Sequence, residues 1–334
     1  MPNESAKGVF VPRQLARHCR APGTPRARAS VLAAMSEWLI SLEGTGSGQR
    51  LAMILALQAA FLHAVFGSLQ KARHDPWLSR GAIDACLVGV SFPLLFLVPW
   101  PKPHMWPIFL GVVIIHFLYK VLQAMAYSRG AFTVVYPVVR GTGPLFAVIG
   151  AWFLFGEVFT PVQWLGLGVL LSGIFGLAVY NLMFLVTDRE TLVPALGLAL
   201  GTGLFVALYT TYDAFGIRSA VDPFTFLVWF FFLSAFDFPM LFAFTPLRRR
   251  LSGIALRPLV LRGLAGAIVA FGSFGSVMLA TRLDKVGEAA VLRETSTVFA
   301  ALIGWLVLRE TVGPRRIALM TLIAAGAVIV EMGG

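Results

Sequence analysis

The chain has 334 residues, 58% of them hydrophobic and only 13% charged, with a formal net charge of +11. Soluble domains carry about 45–50% apolar and about 25% charged residues, so this composition cannot clothe a water-facing surface and a soluble globule is excluded. An outer-membrane barrel is disfavoured: its strands alternate apolar with polar residues, whereas here the apolar residues run on for about twenty at a time, the length of one helical crossing.

Residues 1–50 form a basic, Pro- and Gly-interrupted leader holding Lys7, Arg13, Arg17, Arg20, Arg26, Arg28 and Arg50. Next to a membrane such a stretch reads as a disordered tail or an orientation signal rather than a nucleic-acid site, so no nucleic-acid partner is expected. Its one apolar run, near Val31 to Ala34, is too short for a secretory signal. Met35 is an alternative start, and Ser36 to Leu42 reads as a short interfacial helix between Glu37 and Glu43. With Cys19 in the leader and Cys86 in a span, no disulfide framework or thiolate metal site is expected.

Ten membrane helices follow, near 51–70, 81–98, 106–126, 131–155, 162–183, 193–213, 223–244, 259–280, 288–308 and 315–332. Asp75-Pro76 and Asp222-Pro223 supply a capping carboxylate before a proline that needs no N–H partner, at corresponding places in the two halves. An internal repeat organises the whole. Shifted by 153 residues, 138–161 lies without a gap on 291–314, with Arg140 on Arg293, Trp152 on Trp305, Glu157 on Glu310 and Pro161 on Pro314. Eight of these 24 positions are identical, where chance in so apolar a chain gives roughly two. Each half then holds five helices, 51–183 and 193–332, and a second copy of an odd-numbered unit enters the membrane upside down. The expected fold is therefore an all-α polytopic membrane protein of ten helices in two inverted five-helix repeats.

At these residues the chain resembles the EamA-like transporters of the drug/metabolite transporter superfamily. The likeness lies in the fourth and ninth spans ending in F-G-E (155–157) and L-R-E (308–310), each followed by a tight turn and a span beginning at Pro161 or Pro314. The resemblance implies a substrate cavity between the repeats that opens alternately to either side, efflux of small metabolites or drugs as the commonest activity, and cytoplasmic termini in the inner membrane. Arg140 and the Arg293-Glu294 pair stand where the family usually has uncharged residues.

Ionisable side chains deep in a span cost about 2.5–3.5 kcal/mol on insertion scales, so each is a functional candidate. Lys120, Arg140, Asp237, Arg293 and Glu294 qualify. His116, Lys120, Gln123 and Tyr127 fall on one helical face, and Tyr136 shares a face with Arg140. Substrate binding or gating is assigned to Lys120, Gln123, Tyr136, Arg140, Tyr209, Arg293 and Glu294; the alternative for Arg140 is a polar tie to Glu294 between spans four and nine. His63, His116 and Asp237 are candidate proton carriers, with hydrogen bonding between helices as the competing role. Asp213 is a further carboxylate candidate, with an interfacial position near the span end as its competing reading. Trp152, Glu157, Pro161, Trp305, Glu310 and Pro314 read as structural, the glutamates favouring the positive end of a helix dipole and the tryptophans an aromatic belt.

No metalloprotease, hydrolase or Walker motif is present, so neither enzyme activity, metal nor cofactor is expected, and transport must run on an ion, exchange or solute gradient. The partners are a small-molecule substrate and the bilayer, with the chain a monomer or homodimer. The leading function is export or exchange of a small polar organic solute. The alternatives are uptake of an anionic carboxylate or phosphonate, a lipid flippase or scramblase, and a membrane-embedded sensor. Orientation stays open, because cytoplasmic termini put four loop cations inside and twelve outside, against the positive-inside rule. The leader dominates, arginines line a cavity mouth, or the chain is inverted.

Overall fold

The computed structural model describes residues 31–70, 75–129, 132–184, 192–306 and 313–334. Among them all regular structure is helical. In chain order the helices are α1 (Val31–Ser41), α2 (Gly46–Gln70), α3 (Pro76–Leu94), α4 (Met105–Arg129), α5 (Phe132–Phe155), α6 (Pro161–Phe184) and α7 (Leu192–Ser219). Then come α8 (Pro223–Ser234), α9 (Asp237–Phe244), α10 (Leu256–Leu283), α11 (Val286–Arg293), α12 (Ser296–Leu306) and α13 (Pro314–Met332).

Among the described residues, eight stretches are long and apolar enough to cross a membrane: α2 to α7, α8 with α9, and α10. The remaining two expected spans fall short for local reasons. The ninth is interrupted where α11 ends at Arg293 and α12 restarts at Ser296, and the tenth, α13, carries Arg315, Arg316 and Glu331. Pro137 and Pro144 lie inside the unbroken α5, whereas its repeat partner, without an internal proline, is the helix that breaks.

Both Asp-Pro starts form as expected. Asp75 accepts the N–H groups of Trp77 (2.8 Å) and Leu78 (3.4 Å), and Asp222 those of Phe224 (2.9 Å) and Thr225 (3.3 Å), satisfying donors that helix geometry leaves over. The short helix expected over Ser36 to Leu42 falls largely within α1. It buries Leu39 and donates from Ser36 to the Asp222 carboxylate at 2.7 Å, so it lies across the start of α8.

Helices pair across the halves. α2 packs on α10 and α12, α7 on α4 and α5, α3 on α8 and α10, and α6 on α13. In the α6–α13 contact the two backbones themselves come close: a Cβ on Gly326 would come within 2.4 Å of the Leu170 amide nitrogen and 2.6 Å of the Gly166 carbonyl. Small residues of this kind let two backbones approach where lipid offers no hydrophobic drive to associate. Aromatic rings fill the α4–α8 contact, with Phe109 stacked on Phe226 at 5.4 Å. What this packing leaves at the centre is a set of polar side chains shielded from lipid on every side.

Candidate functional site

The break between α11 and α12 creates the central cluster. A helix that stops leaves carbonyls without amide partners, and Arg140 on α5 takes one of them: its Nη2 donates to the Arg293 carbonyl (3.1 Å) and to Ser296 Oγ (2.8 Å). Arg140 and Arg293 are equivalents in the 153-residue repeat, so the two copies meet here. Arg140 Nε lies 2.8 Å from Glu294 Oε2, off the N–H direction, so their attraction is Coulombic rather than a directed hydrogen bond. Arg140 Nη1 also reaches His63 Nε2 on α2 at 3.5 Å. Both members of the ion pair are buried, where a charge needs a partner.

Arg293 differs from its repeat partner. It is 3% exposed, its Nε has no hydrogen-bond partner, and among the described residues no carboxylate pairs with it. Its guanidinium lies 5.9 Å from the centre of the Tyr209 ring on α7, a cation–π distance. Arg140 has a similar relation to Tyr136, at 6.0 Å. The central group of Arg140, Arg293 and Glu294 therefore carries one positive charge in excess.

Lys120 does not contribute to that excess. Its Nζ is held by Asp84 Oδ2 (3.0 Å), by both oxygens of Asp237 (2.9 and 3.0 Å) and by the Ser234 carbonyl, which the break between α8 and α9 frees. Arg80 completes the group, binding Asp84 from one turn earlier on α3 at 3.1 Å. Two cations and two carboxylates balance, and Lys120 and Asp237 are tied to each other. Gln123 sits one turn from Tyr119 and donates to its hydroxyl at 2.7 Å. Asp84 is absent from the sequence-level candidates, yet it stands at the same 153-residue offset from Asp237 as Arg140 from Arg293, and that offset was the available signal.

His116 on α4 pairs with Asp213 on α7, its Nε2 lying 2.9 and 3.1 Å from the two carboxylate oxygens. Asp213 is 3% exposed, which corrects its interfacial reading: α7 continues to Ser219, so Asp213 lies almost two turns inside the helix. Tyr209, one turn from Asp213, packs on His116 with ring centres 4.9 Å apart and on Tyr119 at 4.8 Å. Among the described residues no group of His, Cys, Asp and Glu could hold a metal ion.

The structural motif gains a specific role. Gly156, at φ 66°, ends α5 in a left-handed turn that only glycine adopts freely. The turn throws Glu157 onto α11, where it accepts the N–H groups of Val286 (3.0 Å) and Gly287 (3.2 Å) and pairs with Arg218 (3.0 Å). Glu157 thus caps a helix of the other repeat rather than the one that follows it. The following helix, α6, begins at Pro161 and is capped by Thr160 and Gln163, each accepting the other's N–H. Arg218 further donates to the carbonyls of Thr281 and Asp284, and Arg282 binds Glu43 and the carbonyls of Ile217 and Ala220. These contacts join the ends of α5, α7 and α10 to the start of α11, closing that end of the bundle. Trp152 and Trp305 are each more than half exposed on the outside, and Pro314 opens α13. Glu310 lies outside the described residues.

Three comparisons with known proteins bear on this arrangement. A solved crystal structure matches 86% of this chain and 97% of its own, with a TM-score of 0.67 at 17% identity, a likeness of fold alone. The uncharacterized protein y4nH of Sinorhizobium fredii is 33% identical over 72 residues, 22% of this chain, and the matched stretch spans 62% of that relative's length. The EamA-like transporter family matches residues 50–179 and 193–332, the two halves that the repeat defines. With two copies of one family model together covering nearly all of its membrane-embedded sequence, the protein is a multi-pass membrane protein that belongs to the EamA-like transporter family.

Proposed function

We propose that the protein is a secondary transporter of the inner membrane that carries a small polar organic solute by alternating access, built as ten helices in two inverted repeats. The pairing of helices supports the repeat: exchanging the halves turns α2 on α10 into α7 on α4, turns α7 on α5 into α2 on α12, and leaves α6 on α13 unchanged. Enclosure of the polar residues supports a solute carrier over a flippase, which needs a polar groove facing lipid. His116, Lys120, Arg140, Arg293 and Glu294 are all buried.

One observation carries the choice of solute. Arg293 is a buried guanidinium with no carboxylate in salt-bridge contact among the described residues, set over Tyr209, and a cation in a low-dielectric interior favours an anion beside it. It supports a carboxylate- or phosphonate-bearing solute over a cationic drug. Lys120 and Asp237 hold the surrounding helices together, Gln123 braces Tyr119 within α4, and Arg140 and Glu294 set the charge around Arg293.

The test is purified protein in liposomes, offered labelled amino acids, organic acids, organophosphates and cationic drugs. Accumulation of an anion, lost in Arg293→Met while the variant still inserts and remains monodisperse, is the expected result. Transport of cations alone, or an anion flux untouched by Arg293→Met, rejects the anion reading. Lipid turnover without solute flux rejects the carrier.

A further inference from the structure

The His116–Asp213 pair has no task in holding the solute, yet it is the one buried histidine–carboxylate pair among the described residues. It lies next to the cation that does. Tyr209 touches both: its ring is 4.9 Å from the His116 ring and 5.9 Å from the Arg293 guanidinium. Phe230 closes the pair from α8, edge-on at 5.0 Å.

We propose that His116 and Asp213 form a proton-binding site whose occupancy strengthens anion binding at Arg293, so that proton and anion cross the membrane together. This rests on Arg293 as the anion site. With a neutral imidazole and an ionised carboxylate the pair carries one negative charge, facing the same region as the solute's own. A proton from water, taken on the free ring nitrogen or on the carboxylate, brings the pair to zero. No covalent bond is exchanged and no redox partner is needed. The two ring distances put the imidazole no more than about 11 Å from the guanidinium, and one unit of charge at that range, at an effective dielectric of about 20, changes anion affinity about tenfold.

Other charged groups near the pair must be separated from it. Tyr119 and Lys120 share α4 with His116, and Tyr209 and Tyr212 share α7 with Asp213. Arg293 approaches from the end of α11 and Glu294 from just beyond it, Arg140 from α5 and His63 from α2, while Asp84 and Asp237 are tied to Lys120 and balanced by it together with Arg80. α8 and α10 present Phe230, Phe226 and Phe274, which do not titrate. Among the described residues His63 is the competing histidine.

Benzoate serves as the probe because its carboxylate stays ionised from about pH 6 to about pH 8.5, well above an ordinary carboxylate pKa. Its binding to the purified full chain is measured by titration calorimetry at both pH values, with a dye in weak buffer counting protons taken up. Wild type is expected to bind about tenfold more tightly at the lower pH, with proton uptake on binding. Asp213→Asn, which fixes the pair without its negative charge, should bind tightly at both pH values without uptake. His116→Gln, which keeps the charge, should bind weakly at both. Equal affinity of wild type at the two pH values overturns the proton site and leaves the anion reading standing, as does a pH dependence that survives Asp213→Asn and vanishes in His63→Gln. Absence of benzoate binding at either pH overturns the anion reading and the proton site together.

Discussion

Removal of the Lys120 side chain distinguishes a structural cation from a substrate ligand. Lys120→Met deletes the one ammonium that faces both Asp84 and Asp237, leaving two buried carboxylates with Arg80 as their single counter-charge. Breaking a buried pair by removing one partner costs about 3–5 kcal/mol, because the abandoned charge stays in low dielectric. The double variant Lys120→Met/Asp237→Asn removes one charge of each sign and keeps the Arg80–Asp84 pair, so it should recover most of that loss. Unfolding of the purified protein in mixed detergent micelles, followed by tryptophan fluorescence, measures both. A single variant as stable as wild type refutes the reasoning, and so does a double variant no more stable than the single one. Either result would return Lys120 to the substrate path, where the polar stripe of its helix first put it.

Three further outcomes follow from the same geometry. Glu157→Gln keeps an acceptor at the start of α11 but loses its charge there and the Arg218 pair, which should cost about 1 kcal/mol; hydrogen exchange at Val286 and Gly287 should rise with it, and unchanged exchange would contradict the cap. Asp284, just beyond the end of α10, has its carboxyl pushed above the ordinary value of 3.8 by burial, with Glu288 adding to the effect. A raised folded-state pKa means that the folded chain holds this proton more tightly than the unfolded one, so its penalty is absent below the ordinary carboxylate value and complete above the raised one. Asp284→Asn should therefore raise the thermal midpoint at neutral pH, with the gain vanishing in acid; a gain that grows on acidification contradicts that sign. Gly326→Ala forces a methyl onto the Leu170 amide and the Gly166 carbonyl, and should separate α6 from α13 and lower the thermal midpoint by several degrees, whereas Gly168→Ala, where a Cβ meets nothing within 4 Å, should not.

Much of the architecture is legible in the order of residues because its causes are local or repeated. A run of about twenty apolar residues must become a helix to satisfy its backbone in lipid, and Asp75-Pro76 and Asp222-Pro223 mark starts through contacts two and three residues away. The repeat is legible because Arg140, Trp152, Glu157 and Pro161 recur at one offset. Burial of His116, Lys120, Arg140 and Arg293 was readable from the cost of exposing a charge to hydrocarbon.

Partnership was not legible, because it depends on which helices meet. The stripe on α4 marked His116 and Lys120 alike, yet packing against α7 gives His116 a carboxylate, and packing against α3 and α9 gives Lys120 two. Arg140 and Arg293 are equivalent in sequence, but the chain breaks after Arg293, so Arg140 finds a carbonyl, a hydroxyl and Glu294 while Arg293 is left over Tyr209. The sequence by itself marked most of the charges that enter the membrane and their helices, missing Asp84 and placing Asp213 at the interface. Tertiary structure decided which of them cancel, since a charge is neutralised by its neighbours in space across a few ångströms, and those neighbours stand tens to hundreds of residues away along the chain.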